Sequence, residues 1–232
     1  MTSPDLPRTD DVRHPAAQVL TRFRWFGRWG IRRRYDVRLV GAENVPGTGP
    51  VIFCSNHIGV IDGPLLAIFA PRPVHALTKS EMFVGKLGRF LHAVGQIPLH
   101  RGLCDPYAVK VGLEVLRKGH VLGIYPEGAR GGGDLVRFEH GAAYFALATG
   151  APVVPVLMFG SRQPGQTRDE LPPKGTVIDV VFGEPFHVPA QPWPRTREQV
   201  GHVSKLLKEH MLVHLDQTRA STGLELPGPL PH

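Results

Sequence analysis

The stretch Val51-Ile52-Phe53-Cys54-Ser55-Asn56-His57-Ile58-Gly59-Val60-Ile61-Asp62-Gly63 decides how this chain folds. Its first four residues form an apolar run that reads as a strand, and the polar, glycine-bearing segment after them leads into a helical run from Pro64 to Phe69. The turn between strand and helix carries a histidine and, five positions on, a carboxylate. Histidine takes a proton near neutral pH, and a carboxylate can hold its ring in one tautomer. On one straight helix His57 and Asp62 would diverge by about 140°, so they meet only across a turn, for which Gly59 provides freedom. The pair reads as a general base facing a hydroxyl. Taken alone, the same spacing also fits a satisfied histidine at a strand end with Asp62 capping the next helix.

Outward from this stretch, short apolar runs alternate with helical patterns. Strands are predicted at 35–40, 51–54, 74–78, 96–99, 121–125, 153–159 and 176–182. Helices are predicted at 16–33, 64–69, 83–94, 107–117, 141–148 and from Thr196 to about Thr218, with a Gly-rich loop from Glu127 to Arg137. This alternation predicts an α/β fold: a single domain with a mixed, mostly parallel sheet flanked by helices, preceded by an amphipathic basic and aromatic helix. The organisation expected is a disordered lead (1–14), a membrane-surface helix (15–34), the main domain (35–220) and a Gly/Pro-rich disordered tail (221–232).

With 232 residues, 42% of them hydrophobic, the chain can bury one sizeable core, and no composition shift requires a second domain. Its two cysteines, Cys54 and Cys104, cannot build a disulfide framework and lie in no Cys/His cluster of metal-ligand spacing, which fits a reducing cytosolic setting. The first residues lack the apolar stretch of a signal peptide. No run reaches the roughly 18 uninterrupted apolar residues of a spanning helix. The net charge of +7 is concentrated: Arg22, Arg24, Arg28, Arg32, Arg33, Arg34 and Arg38 stand against the single acid Asp36. Such a patch implies an anionic partner. On the helical wheel Ala16, Val19, Leu20, Phe23 and Phe26 share a stripe expected to dock on the domain. Arg24, Arg28 and Arg32 with Trp25 and Trp29 are then left facing lipid headgroups.

Ligands of such sheets gather at the carboxyl ends of strands. His57 and Asp62 follow one strand, Lys79 and Glu81 a second, Arg101 a third, and Glu127 and Arg130, within Tyr125-Pro126-Glu127-Gly128-Ala129-Arg130, a fourth. No Gly-x-Ser-x-Gly elbow is present, and Cys54 and Ser55 lie too near His57 in the chain to serve as its nucleophile. Direct transfer follows, with His57 taking the proton of the acceptor's own hydroxyl. Lys79, Arg101 and Arg130 suit a phosphate clamp; taken singly, Arg101 and Arg130 also fit surface residues, with Glu127 paired to one of them. A metal held by Glu127, His57 and Asp62 is disfavoured, because no second histidine lies at ligand spacing.

In their order, Asn56-His57-x4-Asp62, Lys79-x-Glu81, Gly95-x-Ile97-x3-Arg101, Tyr125-Pro126-Glu127-Gly128-x-Arg130 and Val154-Pro155-Val156 resemble the glycerolipid acyltransferases of the 1-acylglycerol-3-phosphate acyltransferase type, over roughly residues 37 to 185. The resemblance implies transfer of a fatty acyl chain from acyl-CoA or acyl carrier protein to lysophosphatidate, forming phosphatidate, with no further cofactor and no metal. It implies His57 as base, Asp62 as its orienting partner, and Asn56, Lys79, Glu81, Arg101, Glu127, Gly128 and Arg130 around the acceptor. It also implies a peripheral position at the cytoplasmic face of the cell membrane, with anionic lipid bound through the 22–38 patch and Trp25/Trp29. Ala129 stands where the family usually has Thr or Ser, and one N-terminal helix stands where some members have two. Other acceptors (glycerol 3-phosphate, a lysophospholipid, a glycolipid) and a non-catalytic lipid-binding protein are the alternatives. The Arg cluster comes with no recognised nucleic-acid-binding motif, and no nucleic-acid partner is expected.

Overall fold

The computed structural model describes residues 7–16, 18–102 and 104–231. In chain order its elements are α1 (Gln18–Arg32), β1 (Asp36–Val40), β2 (Val51–Ser55), α2 (Asp62–Phe69), β3 (Val74–Lys79), α3 (Gly85–Ala93), β4 (Ile97–Leu99), α4 (Pro106–Arg117), β5 (Val121–Ile124), α5 (Gly141–Thr149), β6 (Val153–Phe159), β7 (Val177–Phe182) and α6 (Arg197–Thr222). The seven strands form one sheet in the order β1-β7-β6-β2-β5-β3-β4. Strands β6, β2, β5, β3 and β4 are mutually parallel, while β7 is antiparallel to β6 and carries β1 alongside it. This is the expected mixed, mostly parallel α/β architecture.

Strand β2 lies at the centre because it has no polar face to offer water: all five residues are buried, the pattern of a strand covered on both sides. Its side chains alternate between two cores. Val51 and Phe53 pack with Leu65, Leu66 and Phe69 of α2, whereas Ile52 and Cys54 pack with α4, α5 and Met211 of α6. Asp105 caps α4 by accepting from the Ala108 N–H (3.0 Å). Thr196 and Gln199 form a reciprocal capping box on α6, which satisfies two amides otherwise left free at the helix start.

Three expectations are corrected. Residues 7–14 of the lead expected to be disordered lie along α4. Thr9 Oγ1 donates to Glu114 Oε2 (2.7 Å), Arg117 Nη1 donates to Pro7 O (3.2 Å) and Lys110 pairs with Asp11 (2.5 Å). Residues 1–6 lie outside the described residues. The tail expected from Ser221 begins inside α6, and beyond it Leu224 and Leu226 pack on Leu157, Phe159, Val181 and Leu215. The docking face of α1 also differs in part: Trp25, Trp29 and Arg32 are exposed as expected, but the stripe and two of the arginines are not placed as expected. Of the predicted stripe only Leu20 is buried; Val19, Phe23 and Phe26 face outward. Arg24 and Arg28 turn inward instead. Arg24 donates to Ile68 O and Ala70 O, and Arg28 donates to Ile68 O. The reason is α2, whose last carbonyls have no intrahelical partner and are better satisfied by guanidinium groups than by apolar side chains. Burial beside Arg28 pulls Arg24 down to about 10.

Candidate active site

Where β2 ends, Asn56 keeps the chain attached to its neighbour for one more residue. Its Oδ1 accepts from the Met158 N–H (2.7 Å) and its Nδ2 donates to Met158 O (3.1 Å). The chain then turns, and His57 Nδ1 lies 2.9 Å from Oδ2 of Asp62, the first residue of α2. Asp62 is fully buried. Its Oδ2 also accepts from the N–H groups of Ile58 (2.7 Å) and Gly59 (2.9 Å), and its Oδ1 accepts from Ser161 Oγ. An oxygen already accepting two amide protons is an acceptor toward His57 as well, so Nδ1 carries the proton and Nε2 of the neutral ring carries the lone pair. Nε2 has no hydrogen bond among the described residues, and the His57 side chain is 21% exposed. It can take a proton from a molecule arriving from solvent.

Other residues fix this ring. Tyr125 stacks on His57 with ring centroids 4.2 Å apart. Burial and the Asp62 charge hold the Tyr125 phenol well above its ordinary pKa. The main chain of His57 is held from both sides by the loop after β5: its N–H donates to Glu127 Oε1 (2.8 Å) and its C=O accepts from the Gly131 N–H (2.8 Å). Glu127 is itself buried. Desolvation, helped by Asp134 and Asp62, pushes its carboxyl up to about 7 against the pull of the His57 and Gly133 amides. Gly59 is required for closeness, since a Cβ there would sit 2.2 Å from Ser161 O. Gly133, at φ 79°, would place a Cβ 2.4 Å from Ile58 Cγ2. Neither neighbouring nucleophile is available. The Cys54 thiol is buried and pushed far up by desolvation, and the buried Ser55 Oγ donates to Asn56 O (3.0 Å).

With this geometry in view, residues 36–159 match the family Acyltransferase, over half of the chain. The chain belongs to the Acyltransferase family. It is similar to 1-acyl-sn-glycerol-3-phosphate acyltransferase of Bacillus subtilis, 30% identical over 156 residues that make up 66% of this chain and 75% of that protein. The enzyme of the same name from Borreliella burgdorferi is 33% identical over 128 residues, covering 53% of this chain and 51% of its own. Lyso-ornithine lipid O-acyltransferase of Pseudomonas aeruginosa is 33% identical over 145 residues, with 61% and 54% covered. Among solved structures, the 1-acyl-sn-glycerophosphate (LPA) acyltransferase from Thermotoga maritima superposes with a TM-score of 0.63 at 20% identity. It covers 85% of this chain and 80% of its own, a likeness that establishes the fold.

In this acyltransferase the structure brings some of the sequence-predicted site residues together and holds others apart. His57, Asp62 and Glu127 are joined by hydrogen bonds, and Gly128, whose C=O accepts from Arg101 Nη1 (2.5 Å), closes the loop beside them. Asn56, expected among the substrate contacts, is fully buried with both ends of its amide on Met158, so it shapes the turn and does not reach the cleft. Glu127 likewise turns inward and supports His57. Lys79, the last residue of β3, and Glu81 pair with each other on the surface (3.2 Å), and Arg130 is held by Arg168 O (2.6 Å) and Asp169 (2.9 Å). Sequence reasoning missed Ser161 and Arg162. Arg162 is 1% exposed; its Nε donates to Ile58 O (3.0 Å) and its Nη2 to Gly131 O (3.0 Å) and Gly228 O (2.6 Å). It thereby ties the His57 turn, the Gly-rich loop and the tail together. The signal was present: Gly160-Ser161-Arg162 directly follows β6, a fifth strand exit of the same kind as the other four.

Proposed function

We propose that this acyltransferase moves a fatty acyl chain from acyl-CoA or acyl carrier protein to the free hydroxyl of lysophosphatidate, giving phosphatidate, with His57 as general base. One observation carries the reading: an imidazole whose Nδ1 is tied to a buried Asp62 and whose Nε2 is open. As the acceptor oxygen attacks the thioester carbonyl carbon, its proton passes to Nε2. The tetrahedral intermediate then collapses, the carbon–sulfur bond breaks, and the departing sulfur takes that proton from the imidazolium, so His57 ends the cycle neutral. Burial of Cys54 and Ser55 supports transfer without an acyl-enzyme. Two relatives named for acylation of 1-acyl-sn-glycerol-3-phosphate support the acceptor.

Lys79, Arg101 and Arg130 are the cations for the acceptor phosphate. Lys79 and Arg130 now hold surface carboxylates, and exposed pairs of that kind contribute at most about 1 kcal/mol. A phosphate with two charges displaces them readily. Glu81 is the carboxylate that Lys79 would release. No helix among the described residues is long and apolar enough to cross a membrane. Attachment is instead peripheral, at the cytoplasmic face of the cell membrane, through the outward face of α1. Phe23, Trp25, Phe26 and Trp29 are each more than half exposed there, and Arg22, Arg33, Arg34 and Arg38 are exposed to meet anionic headgroups. Val84, Leu87 and Phe90, at and along α3, add further exposed apolar surface.

The test is thiol release from acyl-CoA by the purified chain with lysophosphatidate in vesicles, with the product's acyl position determined. His57→Ala is expected to lower the rate by about 10² to 10⁴-fold with an unchanged Tm; retention of most activity would overturn the base. A panel containing glycerol 3-phosphate and a lyso-ornithine lipid decides the acceptor, and preference for the latter would replace the phosphate-clamp reading.

A further inference from the structure

We propose that His14, His75 and His120 form a binding site for a divalent transition-metal ion, with zinc best suited, at the end of the sheet opposite His57. His75 is the second residue of β3 and His120 directly precedes β5, so both lie at the amino ends of parallel strands, whereas His57 follows a carboxyl end. The third histidine comes from the segment before α1, which the Thr9, Asp11 and Pro7 contacts hold against α4. One ligand nitrogen from each of the three imidazoles lies within 4.8 Å of the others.

The surroundings of these imidazoles suit them as ligands. His75 is 2% exposed, and its Nδ1–H donates to Gly95 O (2.8 Å), which leaves Nε2 with a lone pair. A ring nitrogen fixed by a backbone carbonyl is the usual outer support of a metal-bound histidine. Gly95, at φ 72°, is the residue that lets the backbone come so near, since a Cβ there would lie 2.9 Å from both His75 Nδ1 and Ala16 O. His14 Nε2 and His120 Nδ1 face each other at 2.7 Å. Zinc–imidazole bonds of about 2.0–2.1 Å in a tetrahedron set ligand nitrogens about 3.4 Å apart. The ion is therefore admitted when that contact opens by less than about 1 Å and any pair standing as far apart as 4.8 Å closes by about 1.4 Å, with water as fourth ligand. A set of imidazoles without thiolate suits zinc, copper or nickel over magnesium or calcium. The bound ion would join residue 14 to the sheet and so fix the root of α1.

The experiment uses the full chain without a polyhistidine tag, stripped with chelator and titrated with zinc ion by calorimetry and with cobalt(II) by visible absorption. One ion per chain with a Kd at or below about 1 μM, a rise in Tm on adding zinc, and tetrahedral cobalt bands are expected. His14→Ala and His120→Ala, each at an accessible ligand, are expected to weaken binding by more than about tenfold, the least effect of losing even an outer support. His202→Ala, on exposed α6 surface, serves as the control that keeps full affinity. No binding by the parent chain tighter than about 0.1 mM, or equal affinity in the His14→Ala/His120→Ala double variant, would show three neighbouring histidines only and overturn the site.

Discussion

Glu127 shows how a residue can matter to His57 without meeting substrate. It is buried, accepts from the His57 N–H, and has its carboxyl raised to about 7 chiefly by desolvation. A raised carboxylate pKa means the folded state holds the proton more tightly than the unfolded chain. Its contribution to stability is therefore full below about pH 4.5 and is lost as pH rises toward 7. The difference corresponds to about 3 kcal/mol above pH 7. Glu127→Gln keeps the acceptor for His57 and removes the ionisation. We expect the variant to gain stability relative to the parent as pH rises from 5 to 8, by up to about 3 kcal/mol, in urea denaturation. A constant difference across that range would show that Glu127 does not titrate there. The spacing of His57 and Asp62 was legible in the sequence because both lie within one turn. The inward roles of Asn56 and Glu127 were not, because their partners, Met158 O and N and the His57 N–H, are backbone groups that a list of side chains does not display.

At the scale of elements, the β2–α2 turn is kept tight by closeness to the residues after β6. Gly59 tests this. A Cβ there meets the Ser161 carbonyl oxygen at 2.2 Å, whereas Gly63, on the first turn of α2, has nothing within 4 Å of the same position. Gly59→Ala is expected to destabilise by about 3 kcal/mol or more, at the upper end of overpacking, and to depress activity by shifting the Gly59 N–H off Asp62. Gly63→Ala should be neutral or stabilise by about 0.5–1 kcal/mol through helix propensity. Comparing their urea midpoints decides; equal midpoints would remove the packing argument. Element α1 carries the other lesson. A helical wheel sees only the helix, and it assigned docking to the most apolar stripe. The partner decided otherwise, because the free carbonyls at Ile68 and Ala70 draw Arg24 and Arg28 inward and Gly27 sits against Ile68.

At the scale of the molecule, the inward placement of Arg24 and Arg28 changes which substitutions should affect the proposed lipid binding. Phe26→Ser with Trp29→Ser, both on exposed positions, should weaken binding to anionic vesicles while leaving Tm unchanged in a co-sedimentation and melting comparison. Arg22→Ala should weaken vesicle binding by about 1 kcal/mol, roughly fivefold, whereas Arg24→Ala should lower Tm first, since its guanidinium is tied to α2. The reverse ranking would mean that the helix meets lipid by its other face. The alternation of strands and helices, the mostly parallel sheet and the gathering of polar residues at carboxyl ends could be read from residues 35–182, because hydrophobic period and turn chemistry are local properties of a chain, whereas the order of the strands in the sheet could not. His57 with Asp62 belonged to that local information. Only the tertiary structure joined Ser161, Arg162 and Glu127 to them, set Arg24 and Arg28 of α1 against α2, and brought His14, His75 and His120 together. Those contacts link residues distant in sequence, and their existence depends on which backbone groups the fold leaves unsatisfied.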